Sequence, residues 1–309
     1  MFKNLLLISF ISLPLASENL LDIYNEALDN DPQYKSSEYS LLAGKEFVVQ
    51  GRAGLLPNVT LSGSTNWNEY YQFDELQSAY NNNSVTARLT QPLFRLDSWF
   101  NFRRSKKLTD ASEADFAYAQ QNLIVRTVEK YFGVLRAIDN LNAAVSEEKA
   151  IKKQLDQIQQ RFEVGLSAIT EVQEAQLAYD LSVAAKIRSE GALFNAREEL
   201  NSLIGREIFS IDSLKADIVP ENPNPTTKQE WVDIALKNNY RLQASVLRRD
   251  ASQDSARSSA SEHLPKINIV GTESESNTNQ YTYEGFEDLG FQAPSETQRK
   301  NYSLSLSIP

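Results

Sequence analysis

The chain has 309 residues, a formal net charge of −10 and 23% charged side chains, with a mean hydropathy of −0.44. That balance excludes a nucleic-acid binder, because phosphates require clustered Lys and Arg. With no cysteine there is no disulfide framework and no thiol to carry a lipid.

At the N-terminus, Lys3 precedes the short apolar run Leu5-Leu6-Leu7-Ile8-Ser9-Phe10-Ile11, followed by Pro14 and the small residues Ala16-Ser17. Residues 1–17 therefore read as a secretory signal, cut after Ala16 or Ser17. No later run reaches the ~18 apolar residues of a membrane helix. Any passage through a bilayer would have to be made by strands.

Residues 20–54 read as helix, with Asn19 as cap, Leu21, Tyr24 and Leu28 at helical spacing, and Pro32 dividing a short helix from a longer one. Leu56-Pro57 ends it, since the residue before proline is driven out of helical geometry. From Asn58 the period falls to 2. Val59, Leu61, Gly63, Thr65 and Trp67 alternate with polar, uncharged neighbours, which predicts a strand over about 58–68. Val85, Ala87 and Leu89 predict a second over 84–92, leaving the Tyr- and Asn-rich segment Glu69–Ser84 as a surface loop.

Residues 97–204 are helical and free of proline, with Asp97 as the candidate cap. Ile124, Val128, Tyr131, Leu135 and Ile138 give way, in shifted phase, to Leu141, Ala144, Ile151, Leu155, Ile158 and Phe162, with Glu148 at one seam position. This predicts a coiled-coil seam with a register change. About 65 residues of helix make a rod of ~100 Å, which no globular domain of this length needs. Gly165 breaks the seam. A second helix returns through Ile169, Val172, Ala175 and Tyr179 to Leu203, so residues 163–167 form the tip of a long helical hairpin.

After a proline-marked linker at 212–227, a helix is expected over about 227–263 and strands over 266–276 and 301–309. Leu264-Pro265 repeats Leu56-Pro57 at an offset of 264 − 56 = 208, which also aligns Ala27 with Ala235, Asn30 with Asn238 and Gly63 with Gly271. The expected organisation is a first structural repeat over 18–219 and a second over 220–309.

The strand pattern admits two interpretations. Alternation over about ten residues with aromatics at the strand ends fits a transmembrane β-barrel; it equally fits an amphipathic sheet packed on a helix. Four strands cannot close a barrel, which takes about eight, and lipid tolerates no open edge. Under the first interpretation several subunits must pool their strands.

Catalytic motifs are missing. No phosphate loop, zinc-type spacing or nucleophile elbow occurs, and His263, the sole histidine, sits beside Leu264-Pro265 at a helix end. The expectation is a protein that is not an enzyme and carries no cofactor or metal.

The hairpin-tip sequence Arg161-Phe162-Glu163-Val164-Gly165-Leu166-Ser167-Ala168-Ile169-Thr170-Glu171-Val172-Gln173-Glu174-Ala175-Gln176 closely resembles the periplasmic tip of TolC-type outer-membrane efflux and secretion channels. So does Glu18-Asn19-Leu20-Leu21-Asp22-Ile23-Tyr24, and both Leu-Pro junctions resemble that family's helix-to-strand junctions. The resemblance implies a fold of mixed class, a long helical hairpin with four transmembrane strands per protomer. It further implies a homotrimer with one shared barrel in outer-membrane lipid, and helices forming a periplasmic tunnel. Drugs or secreted proteins would pass from an inner-membrane pump through a periplasmic adaptor to the exterior. Val164, Gly165, Leu166, Ala168, Ile169 and Thr170 match the tip that adaptors grip. Thr170 and Glu171 match contacts that hold the closed entrance, although Glu171 stands where a well-known member has Asp. The family continues beyond the position of Pro309 into a second helical pair bearing the gate's partners and an acidic selectivity ring, so the resemblance implies an N-terminal fragment whose second repeat is truncated. Two rivals remain at this point: a soluble periplasmic coiled-coil adaptor, and a self-closed porin.

Overall fold

A computed structural model describes residues 17–214, 222–281 and 295–308. The expected signal and part of the expected linker lie outside these residues. The elements run α1 (Leu20–Asn30), α2 (Pro32–Ala53), β1 (Asn58–Gln72), β2 (Glu75–Phe94), α3 (Leu96–Glu163), α4 (Ile169–Ile204), α5 (Lys228–Asn238), α6 (Tyr240–Ser261), β3 (Lys266–Tyr281) and β4 (Ser295–Ser307). The first residues of α5, α6 and β3 lie 208 positions after those of α1, α2 and β1. The chain forms two compact units, one from the described residues of 1–39 and 116–239, the other from those of 40–115 and 240–309. Among the described residues no helix is long and apolar enough to cross a membrane.

Local chemistry sets the helix ends. Asn19 Oδ1 accepts from the N–H groups of Leu21 at 2.9 Å and Asp22 at 3.0 Å, satisfying donors that the first turn leaves free. Asp31 leaves the helix, its Oδ2 accepts from Tyr34 N–H at 2.9 Å, and Pro32 takes the first helical position, where its missing N–H costs nothing. The single helix expected over 227–263 is in fact two, parted at Asn239. No proline is present there; Asn238 and Asn239 are poor helix formers, and Asn239 adopts an extended backbone. Asp97 is likewise not the cap but lies within the first turn of α3.

In the first unit, Ile23 and Ala27 of α1 pack against Leu123, Tyr131 and Val134 of α3 and against Leu200, Leu203 and Ile204 of α4. At roughly 1.5–3 kcal/mol for each large side chain removed from water, this is the main fastening of α1. The Tyr131 hydroxyl donates to the carbonyls of Glu18 and Asp212 at 3.3 and 2.9 Å, and burial raises its pKa. Arg206 grips Glu18 and Glu26 with four bonds of 2.6–2.9 Å, and the bonds to Glu18 and then Glu26 raise its pKa. The buried stripe of α3 runs Leu123, Thr127, Tyr131, Val134, so the expected seam through Ile124 and Val128 is one residue out of phase at its start. Glu148, the charge at the seam, meets Lys186 of α4 at 3.2 Å.

In the second unit the four strands form one antiparallel sheet, ordered β1-β2-β3-β4. The expected loop Glu69–Ser84 is not a loop. β1 and β2 run on to a two-residue turn at Phe73-Asp74, with φ of 52° and 64° and Gln72 opposite Glu75. Positive φ at both central residues gives the turn whose twist suits a hairpin. The Asn- and Tyr-rich residues pair through their backbones, which is why side-chain periodicity missed them. β3 similarly continues past 276, to Tyr281, and β4 begins at Ser295 rather than at 301.

Two contacts fasten helices beneath this sheet. Gly44 and Gly51 of α2 lie seven residues apart and face Ser112 and Ser105 of α3, also seven apart. A Cβ added to Gly51 would stand 2.5 Å from Ser105 Oγ and 3.3 Å from the Phe102 Cα. At the strand-to-helix junction, Arg95 donates to both carboxylate oxygens of Asp97 at 2.9 and 2.6 Å. Those bonds outweigh burial and hold the Asp97 pKa down at about 2. Lys266 of β3 lies 3.6 Å from the same carboxylate, and Ser258 of α6 donates to the Asp97 carbonyl at 2.8 Å.

Two outcomes follow for stability. Gly51→Ala forces α2 from α3 and is expected to cost about 1–3 kcal/mol in denaturant unfolding; Ser105→Gly in the same chain restores most of it, and no restoration would place the strain elsewhere. The Asp97 pKa is below its unfolded value, so its contribution is complete above about pH 4 and vanishes as pH falls towards 2. Asp97→Asn is expected to remove about 1–2 kcal/mol at neutral pH and to flatten that acid limb of the unfolding curve.

Candidate functional site

The hairpin tip is built by the way α3 stops. Leu166 N–H donates to the Arg161 carbonyl at 2.8 Å and Gly165 N–H to that of Phe162 at 2.9 Å, the paired bonds of a Schellman motif. The motif needs a left-handed residue, and Gly165 supplies it at φ 79° with open space where a Cβ would stand. Ala168 is the N-cap of α4 but has no side-chain oxygen to offer. Ser167 acts instead by donating to the Glu171 carboxylate one turn on.

That construction turns apolar side chains outwards. Val164 and Leu166 are each 69% exposed and Ile169 is 51% exposed. Gly165, Ala168, Thr170 and Glu171 are exposed as well. Aliphatic groups held in water by a tight turn mark a candidate contact surface. All seven residues singled out from the sequence are therefore brought together on one tip. The hydrogen bond that Ser167 makes to Glu171 was missed; the Ser-x-x-x-Glu spacing astride a helix start was its signal.

The sheet is the second candidate surface. Cross-strand partners share a face, so the register places Val59, Leu61, Leu89, Ile269, Tyr302 and Leu304 on one side. Thr60, Ser62, Ser84, Ser274 and Ser303 lie on the other, where Ser64 and Ser84 share a hydrogen bond of 2.9 Å. Along β3 from Thr272 to Thr278, side chains on the polar face are half-buried and those on the opposite face exposed. The polar face is thus the sheltered one. The apolar residues form a diagonal band: on β1 they persist to Trp67 before the first charge at Glu69, whereas on β3 and β4 charge begins at Glu273 and Lys300, opposite Ala87 and Glu273 respectively. The outer edges of β1 and β4 have no strand partner among the described residues.

Comparison with known proteins accords with this geometry. Residues 23–206 match the family model described as outer membrane efflux protein. The chain is 33% identical over 255 residues to outer membrane protein TolC of Vibrio cholerae serotype O1, covering 82% of this chain and 58% of that protein. It is 30% identical over 315 residues to outer membrane protein TolC of Escherichia coli K12, covering 99% of this chain and 62% of that protein. The chain thus spans about 60% of the length of these relatives. The fold matches the crystal structure of the Campylobacter jejuni CmeC outer membrane channel with a TM-score of 0.75 at 17% identity, covering 96% of this chain and 62% of that one. The chain belongs to the outer membrane efflux protein family, residing in the outer membrane of a Gram-negative cell with its helices in the periplasm.

Proposed function

We propose that this chain is a channel subunit, three copies of which each give four strands to one closed barrel. The observation that carries this reading is the diagonal apolar band on the exposed face of a sheet whose sheltered face is mostly hydroxyl and amide. Strands tilted by ~35–45° through a flat slab require such a diagonal. β4 of one protomer would pair with β1 of the next, giving 3 × 4 = 12 strands and no free edge. β1 has 15 residues and β2 has 20, more than the ~9–11 that cross a bilayer. Their Tyr-, Asn- and Glu-bearing ends then project beyond the lipid.

On this reading the elements before β1 and those before β3 are two copies of one structural repeat, divided near 219–220. α3 and α4 form a coiled-coil stave of a periplasmic tunnel. The duct is passive and not an enzyme. An inner-membrane pump delivers drugs or secreted proteins through a periplasmic adaptor. The adaptor seats on Val164, Gly165, Leu166, Ala168, Ile169 and Thr170, supported by the aliphatic exposure at the Schellman turn. Thr170 and Glu171 hold the entrance closed, Glu171 being pre-oriented by Ser167.

Fractionation tests the channel. The protein is expected in carbonate-washed outer membranes, released only by detergent and migrating at about three times 34.9 kDa. Release as a monomer by osmotic shock would instead mark a soluble adaptor. For the tip, Val164→Asp with Leu166→Asp is expected to abolish export and adaptor co-purification while trimers persist. Normal export by that variant would remove the docking assignment.

A further inference from the structure

The two hairpins of the sheet repeat each other residue for residue. Adding 266 − 58 = 208 on β1 and 307 − 90 = 217 on β2 turns the pair Asn58↔Thr90 into Lys266↔Ser307. The same two offsets carry each later pair, up to Tyr70↔Ser78, onto its counterpart, ending at Thr278↔Ser295. β1 therefore corresponds to β3 and β2 to β4, with no slip between the hairpins. The pairing of β2 with β3, which joins them, has its own counterpart only in β4 against the β1 of another copy.

Resting on the closed-barrel reading, we propose that β4 of one protomer meets β1 of the next in the register dictated by this repeat, and that Lys300 and Glu69 form an ion pair across the boundary. Within the sheet, Asn83 stands opposite Asn277, Val85 opposite Glu275 and Ala87 opposite Glu273. Shifted by 217 and 208, these become Lys300 opposite the next protomer's Glu69, Tyr302 opposite its Trp67, and Leu304 opposite its Thr65. On the other face Asn301 meets Asn68, Ser303 meets Asn66 and Ser305 meets Ser64.

Backbone register alone fixes those offsets, and the side chains they bring together are complementary. Glu69 is the one charged residue of β1. Its neighbour across the hairpin is Ala79, which offers no charge, and its carboxylate accepts from the Tyr71 hydroxyl at 2.8 Å. Lys300 lies 3.0 Å from Glu273 of β3, so the next protomer's Glu69 gives it a carboxylate on either side. Trp67 and Tyr302 stand at the two open edges, 71% and 79% exposed, and each gains an aromatic neighbour. Opposite charges and aromatic pairs directly across antiparallel strands are stabilising. A slip of two residues is the smallest that keeps both faces on their own sides. It would set Glu69 against Gln298 or Tyr302, and Lys300 against Trp67 or Tyr71. Charge left without a partner beside lipid is costly, so the ion pair also selects the register.

The chain has no cysteine, so thiols can be introduced without background. Glu69→Cys is combined in turn with Gln298→Cys, Lys300→Cys and Tyr302→Cys. Asn68→Cys, on the other face, is combined with Arg299→Cys, Asn301→Cys and Ser303→Cys. Directly opposed residues have Cβ atoms ~4.5–5.5 Å apart, against roughly 7–8 Å on the diagonal. Within one protomer β1 and β4 are three strand spacings apart, roughly 14 Å, too far for a disulfide. After mild oxidation of detergent-extracted trimers, the Lys300→Cys or Asn301→Cys combination is expected to give a heat-resistant band at about three times 34.9 kDa that reduction abolishes. The four displaced combinations are expected to run as monomers. In the cysteine-free chain, Glu69→Gln is expected to lower the temperature at which SDS dissociates the trimer; an unchanged temperature would strike out the ion pair. Trimers that crosslink only at a displaced combination, or at none of the six, would overturn the register and leave the barrel standing. Failure of the unsubstituted chain to form trimers would overturn the shared barrel, and this proposal with it.

Discussion

A sheet with two open edges cannot remain alone in hydrocarbon. Each backbone group left without a partner there costs several kcal/mol. The 15 residues of β1 and 13 of β4 turn about half of these groups to the outside, so the summed cost runs to tens of kcal/mol. Whole domains are stable by only about 5–15 kcal/mol. No improvement in the packing of α1, or in the Gly–Ser contact between α2 and α3, could offset such a deficit. On the closed-barrel reading proposed above, subunit association is a requirement that the edge strands impose, and the other features serve it. The junction around Asp97 is an example, for it fixes the departure of α3 from β2 through Arg95, Lys266 and Ser258 at one carboxylate and its carbonyl.

Much of this was legible in the chain because its signals are local and redundant. Leu56-Pro57 and Leu264-Pro265 mark both strand starts to within a residue or two. Gly165 is readable as a break because only a left-handed residue completes the Schellman bonds. What escaped reading depended on partners distant in sequence. Tyr70 to Tyr80 lacks apolar alternation, and its strand character comes from backbone pairing across the hairpin. The turn at Phe73-Asp74 has no glycine to announce it.

The seam was misread at its start for another reason. Leu123 and Ile124 are both apolar and adjacent, so periodicity cannot choose between them; packing chose Leu123 and left Ile124 half in water. Thr127 then becomes buried, and its hydroxyl is satisfied within the helix by the Leu123 carbonyl at 2.8 Å. Glu148 at the seam was visible, but its remedy, Lys186, required knowing how α4 returns. Which face of the sheet a charge occupies was also hidden. It appears only once the register fixes the sides of Arg88 and Glu273.

The bend at Phe73-Asp74 has an architectural consequence. Two residues leave no slack, so this hairpin has no length with which to fold over the mouth and stopper it. On the closed-barrel reading, any closure of that opening falls to segments other than this hairpin.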